Sequence, residues 1–494
     1  MAEIQTQNLE QGVVHPANLQ IYNGLDCMLT LEIFEQLSKQ FNQEPISYQF
    51  ALALQAPILE IMLRGFCIDE TERQTGIRRL KAQLVVLDGI LQTLANAVWD
   101  KPLNPRSPKQ LIAFFYRCMK LPEIWTSKKG VKKLSLDRDT LEKLEVYFHA
   151  RPIIATILAY RDVAKQLSVL ETEVSSDGRL RTSYNIAGTE TGRLSSSGSA
   201  DGTGSNLQNV APHLRRMFIA DPGMKLCVID LEQAESREVG WLCGTLFNDW
   251  RYLDACYAGD LHTTTCKLIW TKLPWTGNPK EDRAIADRNF YREYSHRDMS
   301  KRGSHGANYH GSPFTMARHL KVPVKLMEDF QKAYFQAFPA IPRWHQWVAT
   351  QLQTVGYLVT PFERKRHFFG RANDDTTLRE AIAYSPQSST ADRTNLALWR
   401  IWKHFGSRVQ LLAQTHDSVS FQYDENDNEA EIITKALSLM QVDIHWKDRT
   451  LIVPGEAKVG WNWASGGDKN PDGLQKWKGH DSRKRLMGLD RVYS

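Results

Sequence analysis

From Ile21 to Leu37 apolar residues recur at helical spacing, which predicts one helix. Gly65 then marks a turn inside "LRGFCID", Leu63 to Asp69, and a short extended piece follows it. Two long helical patterns come next, Glu72 to Trp99 and Leu141 to Leu170, separated by "NPRSPKQLIAFFYRCMKLP" and a Lys-rich loop, "TSKKGVKKLS". Hydrophobic periodicity vanishes from Thr189 to Asn206, where Gly, Ser and Thr dominate, so this stretch reads as a loop. In "KLCVIDLEQAESREVGWLCG" an apolar run of strand length ends at Asp230 and gives way to a helical pattern. A second run, "VQLLAQTHDSVSFQY", holds His416 and Asp417 at its middle and leads into the turn-like "DENDNE". That pattern predicts a β-hairpin with two polar residues at its bend. The last 31 residues, Ala464 to Ser494, are Gly-rich and polar with seven bases against four acids, and read as a poorly ordered basic tail.

Composition narrows the class. The 494 residues suit about three domains, or one large domain with subdomains. With 42% hydrophobic and 24% charged residues, disordered, collagen-like and coiled-coil chains are excluded. No run approaches the roughly 18 to 20 uninterrupted apolar residues of a membrane span, and "MAEIQTQNLEQ" lacks the order of a signal peptide. A soluble, cytoplasmic protein without membrane partners is therefore expected. The seven cysteines are scattered and never spaced C-x-x-C, so buried thiols are expected rather than disulfides or zinc.

Charge is uneven along the chain. The net charge is +6, yet residues 1–50 hold six acids and one base. Lys101 to Leu170 holds 14 Lys and Arg against six Asp and Glu. Such a segment fits a polyanion partner and equally a solvated helical face. On the first reading, the two long helices with their basic tip form an arm that grips a duplex from outside.

Asp230, at the end of an apolar strand, sits where a metal ion or a ligand can reach it, although alone it would equally cap the next helix. Asp417 shifts that balance, because a charge inside an apolar hairpin is costly unless it is paired or metal-bound. Two carboxylates from two strands can hold two Mg²⁺ ions about 3.5 to 4 Å apart, with Mn²⁺ as a substitute. In "RDMSKRGSHGANY", Arg297, Lys301, His305 and Tyr309 recur every four residues and share one helical face. Two cations and two rings on one face suit a nucleoside triphosphate, as they also suit a solvated basic helix. Gly303 and Gly306 each weaken that helix by about 1 kcal/mol relative to Ala, a cost expected to serve bending or close approach of a ligand.

Taken together, "DLEQAESR", "RDMSKRGSHGANYHG" and "QTHDS" resemble the three signature motifs of family-A DNA polymerases, the family of bacterial DNA polymerase one and many phage replicases. "TGRLSS", "NLQN", "DLHTTT", "TPFERKR", "QSSTAD" and "VGWNW" fall in the family's order, so the resemblance runs from Leu63 to Trp463. It implies a mixed α/β (α+β) right hand, with an antiparallel palm sheet, helical fingers and a helical thumb. The expected division is an exonuclease-like remnant at 1–62, thumb 63–183, palm 184–240, fingers 241–358, palm again 359–463 and the basic tail 464–494. The implied activity is template-directed addition of deoxynucleotides to a primer 3′-hydroxyl. Primer-template DNA and deoxynucleoside triphosphates are the partners, accessory replication proteins join them, and the enzyme is a monomer. If phage-encoded, it acts in the host-cell cytoplasm.

The resemblance also assigns residues. Asp230 and Asp417 bind the metal ions, with the Leu231 carbonyl, and Lys301 joins them in catalysis. Arg297, Lys301, His305, Tyr309, His262, Gln233 and Glu235 bind the nucleotide, Glu235 acting as the sugar gate. Arg193, Asn206, Gln208, Asn209, Gln387, His416, Arg364 and Arg366 contact DNA. Three positions depart from the family pattern. His305 stands for Phe or Tyr, His310 for Gly, and Ser418 for the Glu after the third-motif Asp, which places sugar and base selectivity in question. "YNGLDCMLTLEI" resembles the last motif of a 3′→5′ exonuclease, with Tyr22 and Asp26 in its positions. Asp26 without upstream carboxylates predicts no proofreading. A single-subunit RNA polymerase would share the carboxylates and the Arg-Lys-Tyr helix, but Glu235 would exclude a ribose hydroxyl. A catalytically inactive DNA-gripping scaffold is the other alternative, disfavoured by the retained Asp230, Asp417, Arg297 and Lys301.

Overall fold

The computed structural model describes residues 16–39, 45–128, 131–198 and 203–479. The first periodic segment forms α1 (Pro16–Ser38), on which Tyr22 and Asp26 are exposed. α2 (Ile46–Arg64) is long and apolar enough by composition to cross a membrane. It instead buries Leu54, Ile58 and Ile61 in a core shared with the central sheet. Gly65 ends α2 at φ +66°, where a Cβ would stand 2.8 Å from the Leu180 carbonyl oxygen, so a side chain here is excluded twice over.

After strand β1 (Phe66–Ile68), α3 (Glu70–Ala95) starts where the Asp69 side chain accepts from the Glu72 N–H at 3.0 Å. The second long pattern is broken: a short helix, Arg138–Leu144, and a single turn precede α4 (Arg151–Leu170). Pro152 explains the break, since it lacks an N–H and is tolerated in the first turn of a helix but not in its interior. α3 and α4 pack together through Ile77, Leu80, Leu167 and Leu170. The expected Lys-rich loop is a hairpin, Trp125–Lys128 paired with Val131–Leu134. Within the expected loop before Asn206, Ser195–Ser197 pairs with Ser183–Asn185.

The remaining strands of the main sheet are β2 (Arg179–Leu180), β3 (Phe218–Ile219), β4 (Met224–Leu231), β5 (Val409–Thr415), β6 (Ser418–Asp424), β7 (Gly455–Gly460), β8 (Asn462–Ser465) and β9 (Gly473–Lys476). Their order is β5-β6-β4-β7-β9-β8-β3-β1-β2, antiparallel throughout except for β8 beside β9. Period-two alternation divides β4 between two cores. Cys227, Ile229 and Leu231 join one core with helices α8 (Asp375–Phe405) and α9 (Glu429–Met440), while Leu226 joins another with Phe218 and Trp463. Asp230 shares the alternate set with Leu226 and Val228, at the strand's end.

One consequence corrects the sequence reading. Residues Ala464 to Lys476 are not a loose tail, because β8 and β9 are built into the sheet. The backbone pairing that orders them is invisible to composition; residues 480–494 lie outside the described part. The fingers side is helical, with α5 (Ala234–Phe247), α6 (Leu261–Ile269) and α7 (His296–Asn308) following β4 in the chain.

Candidate active site

β5 and β6 form the expected hairpin, closed by the Thr415↔Ser418 pair, with His416 at φ +53° and Asp417 as its two-residue bend. The bend lies beside the end of β4: Ser418 is the cross-strand partner of Asp230, and the Leu231 N–H donates to the Asp417 carbonyl at 3.2 Å. Two residues 187 positions apart in sequence are thereby brought to one rim. On the other side Glu456 of β7 faces Asp230, but its carboxylate is taken by Lys476 and by Lys458 at 3.5 Å. Ser418 lines the rim, and its hydroxyl donates to the Thr415 carbonyl at 2.8 Å.

The carboxyl of Asp417 is pushed up to about 6 by burial and by the charges of Glu235 and Asp230. Asp230, although more open to solvent, is also raised, by the crowded surroundings of its carboxyl and by Glu456, against the pull of Lys458 and His416. Two carboxyls on one rim whose ionisation is each disfavoured form a site that positive charge would stabilise. A concavity of about 220 Å³ opens on the Asp230 side, lined also by Arg215, His416, Lys458 and Trp463 and not by Asp417. Hard oxygen donors of this kind suit Mg²⁺ or Mn²⁺, which take one or two carboxylates and leave other positions to water and substrate phosphate. Among the described residues no group of three or more His, Cys, Asp or Glu side chains is placed to hold a metal ion.

α7 begins at a capping box in which Ser295 and Asp298 satisfy each other's backbone N–H groups. Arg297, Lys301 and His305 lie on the helix, and Tyr309 closes it as the C-cap residue. Gly303 and Gly306 have a packing role: a Cβ at Gly303 would overlap the Phe330 ring and one at Gly306 the Met316 side chain. Lys301 is exposed and makes no ion pair among the described residues. Arg297 is forked by Asp260, with Nε 2.7 Å from Oδ2 and Nη2 2.9 Å from Oδ1. His262, on α6, is pushed down to about 4 by burial, and the cations Arg297 and Lys301 add to that shift, so its ring is neutral at pH 7. Its buried Nδ1 has no hydrogen-bond partner among the described residues.

The far end of α7 is tied to β4's successor. The Tyr309 hydroxyl donates to Glu235, and Arg193 pairs with the same carboxylate. Glu235 sits in the first turn of α5, where the helix dipole favours a carboxylate, and Gln233 enters that turn at φ +54° with its Oε1 buried and unpartnered. The His305 ring is 4.9 Å from that of Tyr309. His310 takes a left-handed φ of +57° and its Nδ1 lies 3.4 Å from Nδ1 of His345, which donates through Nε2 to the Asn308 carbonyl at 2.8 Å.

The residues assigned to DNA divide. Asn209 and His416 are exposed, and Gln387 is half-buried on α8. Asn206 accepts from the Gln208 N–H at 3.0 Å, while the Gln208 amide donates to the Leu194 carbonyl at 3.0 Å, so both brace the turn beside the palm. Arg364 is bound to Asp392 at 2.7 Å beneath Gly192, and Arg366 is held by Glu190 and by Glu380 at 3.2 Å. Both arginines are half-buried and ion-paired with carboxylates close in space but distant in sequence. Asp260, Lys458 and Arg215, whose guanidinium lies 4.6 Å from the Trp463 ring centre, belong to the site and escaped the sequence reading. "DLHTTT" did contain Asp260, but an acid before a helix reads as a cap.

A sheet that brings two carboxylates to one rim, linked through Glu235 to the end of a cation-bearing helix, defines a class of site suited to metal-bound phosphates. A family model described as DNA polymerase family A matches residues 77–465, and the chain belongs to that family. It is 27% identical over 473 residues to DNA polymerase I of Chloroflexus aurantiacus, covering 90% of this chain and 46% of that protein. It is 28% identical over 411 residues to the thermostable DNA polymerase I of Thermus caldophilus, covering 79% of this chain and 44% of that one. The chain thus spans about half the length of the curated relatives it matches. Its fold resembles the POL domain of Pol1 from M. smegmatis, solved with DNA primer-template and dNTP, at a TM-score of 0.64 and 24% identity over 83% of this chain and 69% of that one.

Proposed function

We propose that the chain is a DNA-directed DNA polymerase, extending a primer 3′-hydroxyl with deoxynucleotides chosen by a template. The observation that carries this reading is the convergence of Asp230 and Asp417 on one rim, with Glu235 and Arg193 within electrostatic reach of Asp417. Glu235 in turn links that rim to Tyr309 and so to the end of α7. Two Mg²⁺ ions held by Asp230, Asp417 and the Leu231 carbonyl would supply the charge that activates the primer hydroxyl and stabilises the departing pyrophosphate. Arg297, Lys301 and neutral His262 form the anion-binding side: the two cations neutralise phosphate oxygens, and the imidazole offers a hydrogen bond without adding charge. Positioning and charge stabilisation do most of the work in such a transfer. Glu235, fixed from both sides by Arg193 and Tyr309, supports the sugar-gate assignment, since a carboxylate that cannot swing away rejects a 2′-hydroxyl.

Primer extension with deoxynucleotides and Mg²⁺ tests the proposal. Asp417→Ala is expected to abolish extension while leaving primer-template affinity in a gel shift nearly unchanged. Near-normal turnover by that variant would remove the carboxylate pair from the reaction.

A further inference from the structure

Asp260 occupies the N-cap position of α6, and its backbone carbonyl accepts from the Thr264 N–H at 2.9 Å. A carboxylate placed there ordinarily caps the helix, yet this one makes no side-chain cap hydrogen bond. It turns instead to Arg297 on α7, taking Nε at 2.7 Å and Nη2 at 2.9 Å. The carboxylate is itself fixed: the Thr263 hydroxyl donates to Oδ2 at 2.5 Å and Arg283 Nη1 approaches the same oxygen at 3.3 Å. Arg283 is anchored in turn by Asp287 at 2.6 Å.

A guanidinium carries five N–H donors in a rigid plane. The fork to Asp260 uses two of them on one edge and leaves three, two on Nη1 and one on Nη2. Lys301 follows Arg297 by about one turn on α7, and both cations lie close enough to His262 to depress its ring. We propose that Asp260 is a positioning residue that locks the guanidinium plane of Arg297, so that its remaining donors are presented to the phosphates of the incoming nucleoside triphosphate. This rests on the reading of Arg297 as a triphosphate ligand. An unanchored arginine would have to surrender its rotamer freedom when nucleotide binds, and Asp260 removes that cost beforehand.

Asp260→Asn keeps a capping residue but offers one acceptor in place of two anionic oxygens. Steady-state single-nucleotide incorporation is measured for the wild type, Asp260→Asn, Arg297→Ala and the double variant. Asp260→Asn is expected to raise the KM for dNTP about three- to tenfold with kcat changed less than about twofold. In the Arg297→Ala background the same substitution is expected to change KM by less than about twofold. An unchanged KM for Asp260→Asn, or its full factor persisting without Arg297, overturns the inference alone. A wild-type KM for Arg297→Ala overturns the triphosphate reading of Arg297 and the inference with it. If Asp260→Asn does not fold, Thr263→Val, which removes the hydroxyl from Oδ2, is read the same way: a raised KM that depends on Arg297 supports the inference, and an unchanged one overturns it.

Discussion

Asp417 carries a charge that the folded protein resists. Its carboxyl stands at about 6 against an ordinary 3.8, through burial and the neighbouring charges of Glu235 and Asp230. For an acid raised on folding, the native state holds the proton more tightly than the unfolded chain. Without divalent cations, stability is therefore lost as pH rises from about 4 through 6 and stays reduced above that. Asp417→Asn is expected to raise the cation-free melting temperature at pH 7.5 and leave it unchanged near pH 3.5, where both states are protonated; a difference of equal size at both values would refute the assignment. The same proton competes with a cation, so Mn²⁺ affinity should climb between about pH 5 and 7 and then level. At this scale the two metal-binding candidates were legible because each is a charge inside or ending an apolar run. The fates of Arg364, Arg366 and Asp260 were not legible, because ion pairs such as that of Asp260 with Arg297 depend on spatial neighbours that spacing along the chain does not disclose.

Among elements, the hairpin and α7 were readable from periods of two and about four, and both form where those periods place them. The glycines of α7 were readable as weak points but not as packing sites, since Phe330 and Met316 come from later helices. How α5 is held to α8 was also hidden. Glu238 and Arg393 form an ion pair at 2.9 Å with both side chains essentially sealed from water, and Arg393 reaches on to the Val442 carbonyl. This contact fixes the helix that carries Glu235 to the long helix that carries Gln387. Burial raises the Glu238 carboxyl while Arg393 opposes it, so the pair is held together by mutual need rather than by large net gain. Glu238→Ala is expected to cost about 3 to 5 kcal/mol in urea unfolding, because it strands a buried guanidinium. Replacing both partners, Glu238→Leu with Arg393→Met, should recover much of that loss. A single-variant loss under about 1 kcal/mol would mean that the Val442 carbonyl alone satisfies Arg393.

For the molecule as a whole, the palm was legible at its centre and not at its seam. The run "NWASGGDKNPDGLQKW" has the composition of a tail, yet it supplies two strands that join the carboxylate-bearing half of the sheet to β1, β2 and β3 at the foot of α3 and α4. β9 pairs Lys476 with Lys458 and Gln475 with Val459 of β7, and the Trp477 N–H adds a bond to the Ala457 carbonyl. β8 continues to β3 through Asn462, and Trp463 packs with Phe66 and Phe218 at centroid distances of 5.2 and 5.4 Å. Because β7 is the strand beside Asp230, the seam sets the position of the Asp230–Asp417 rim as well as the attachment of the helical arm. A chain ending at Gly466 loses β9 and keeps β8. Compared with one ending at Gly479, it is expected to melt lower, by on the order of 5 °C, and to lose primer-extension rate more than primer-template affinity. An unchanged melting curve would mean that β7 is held on β4 by their six residue pairs alone, and that the last strand is an accessory to the sheet rather than part of its closure.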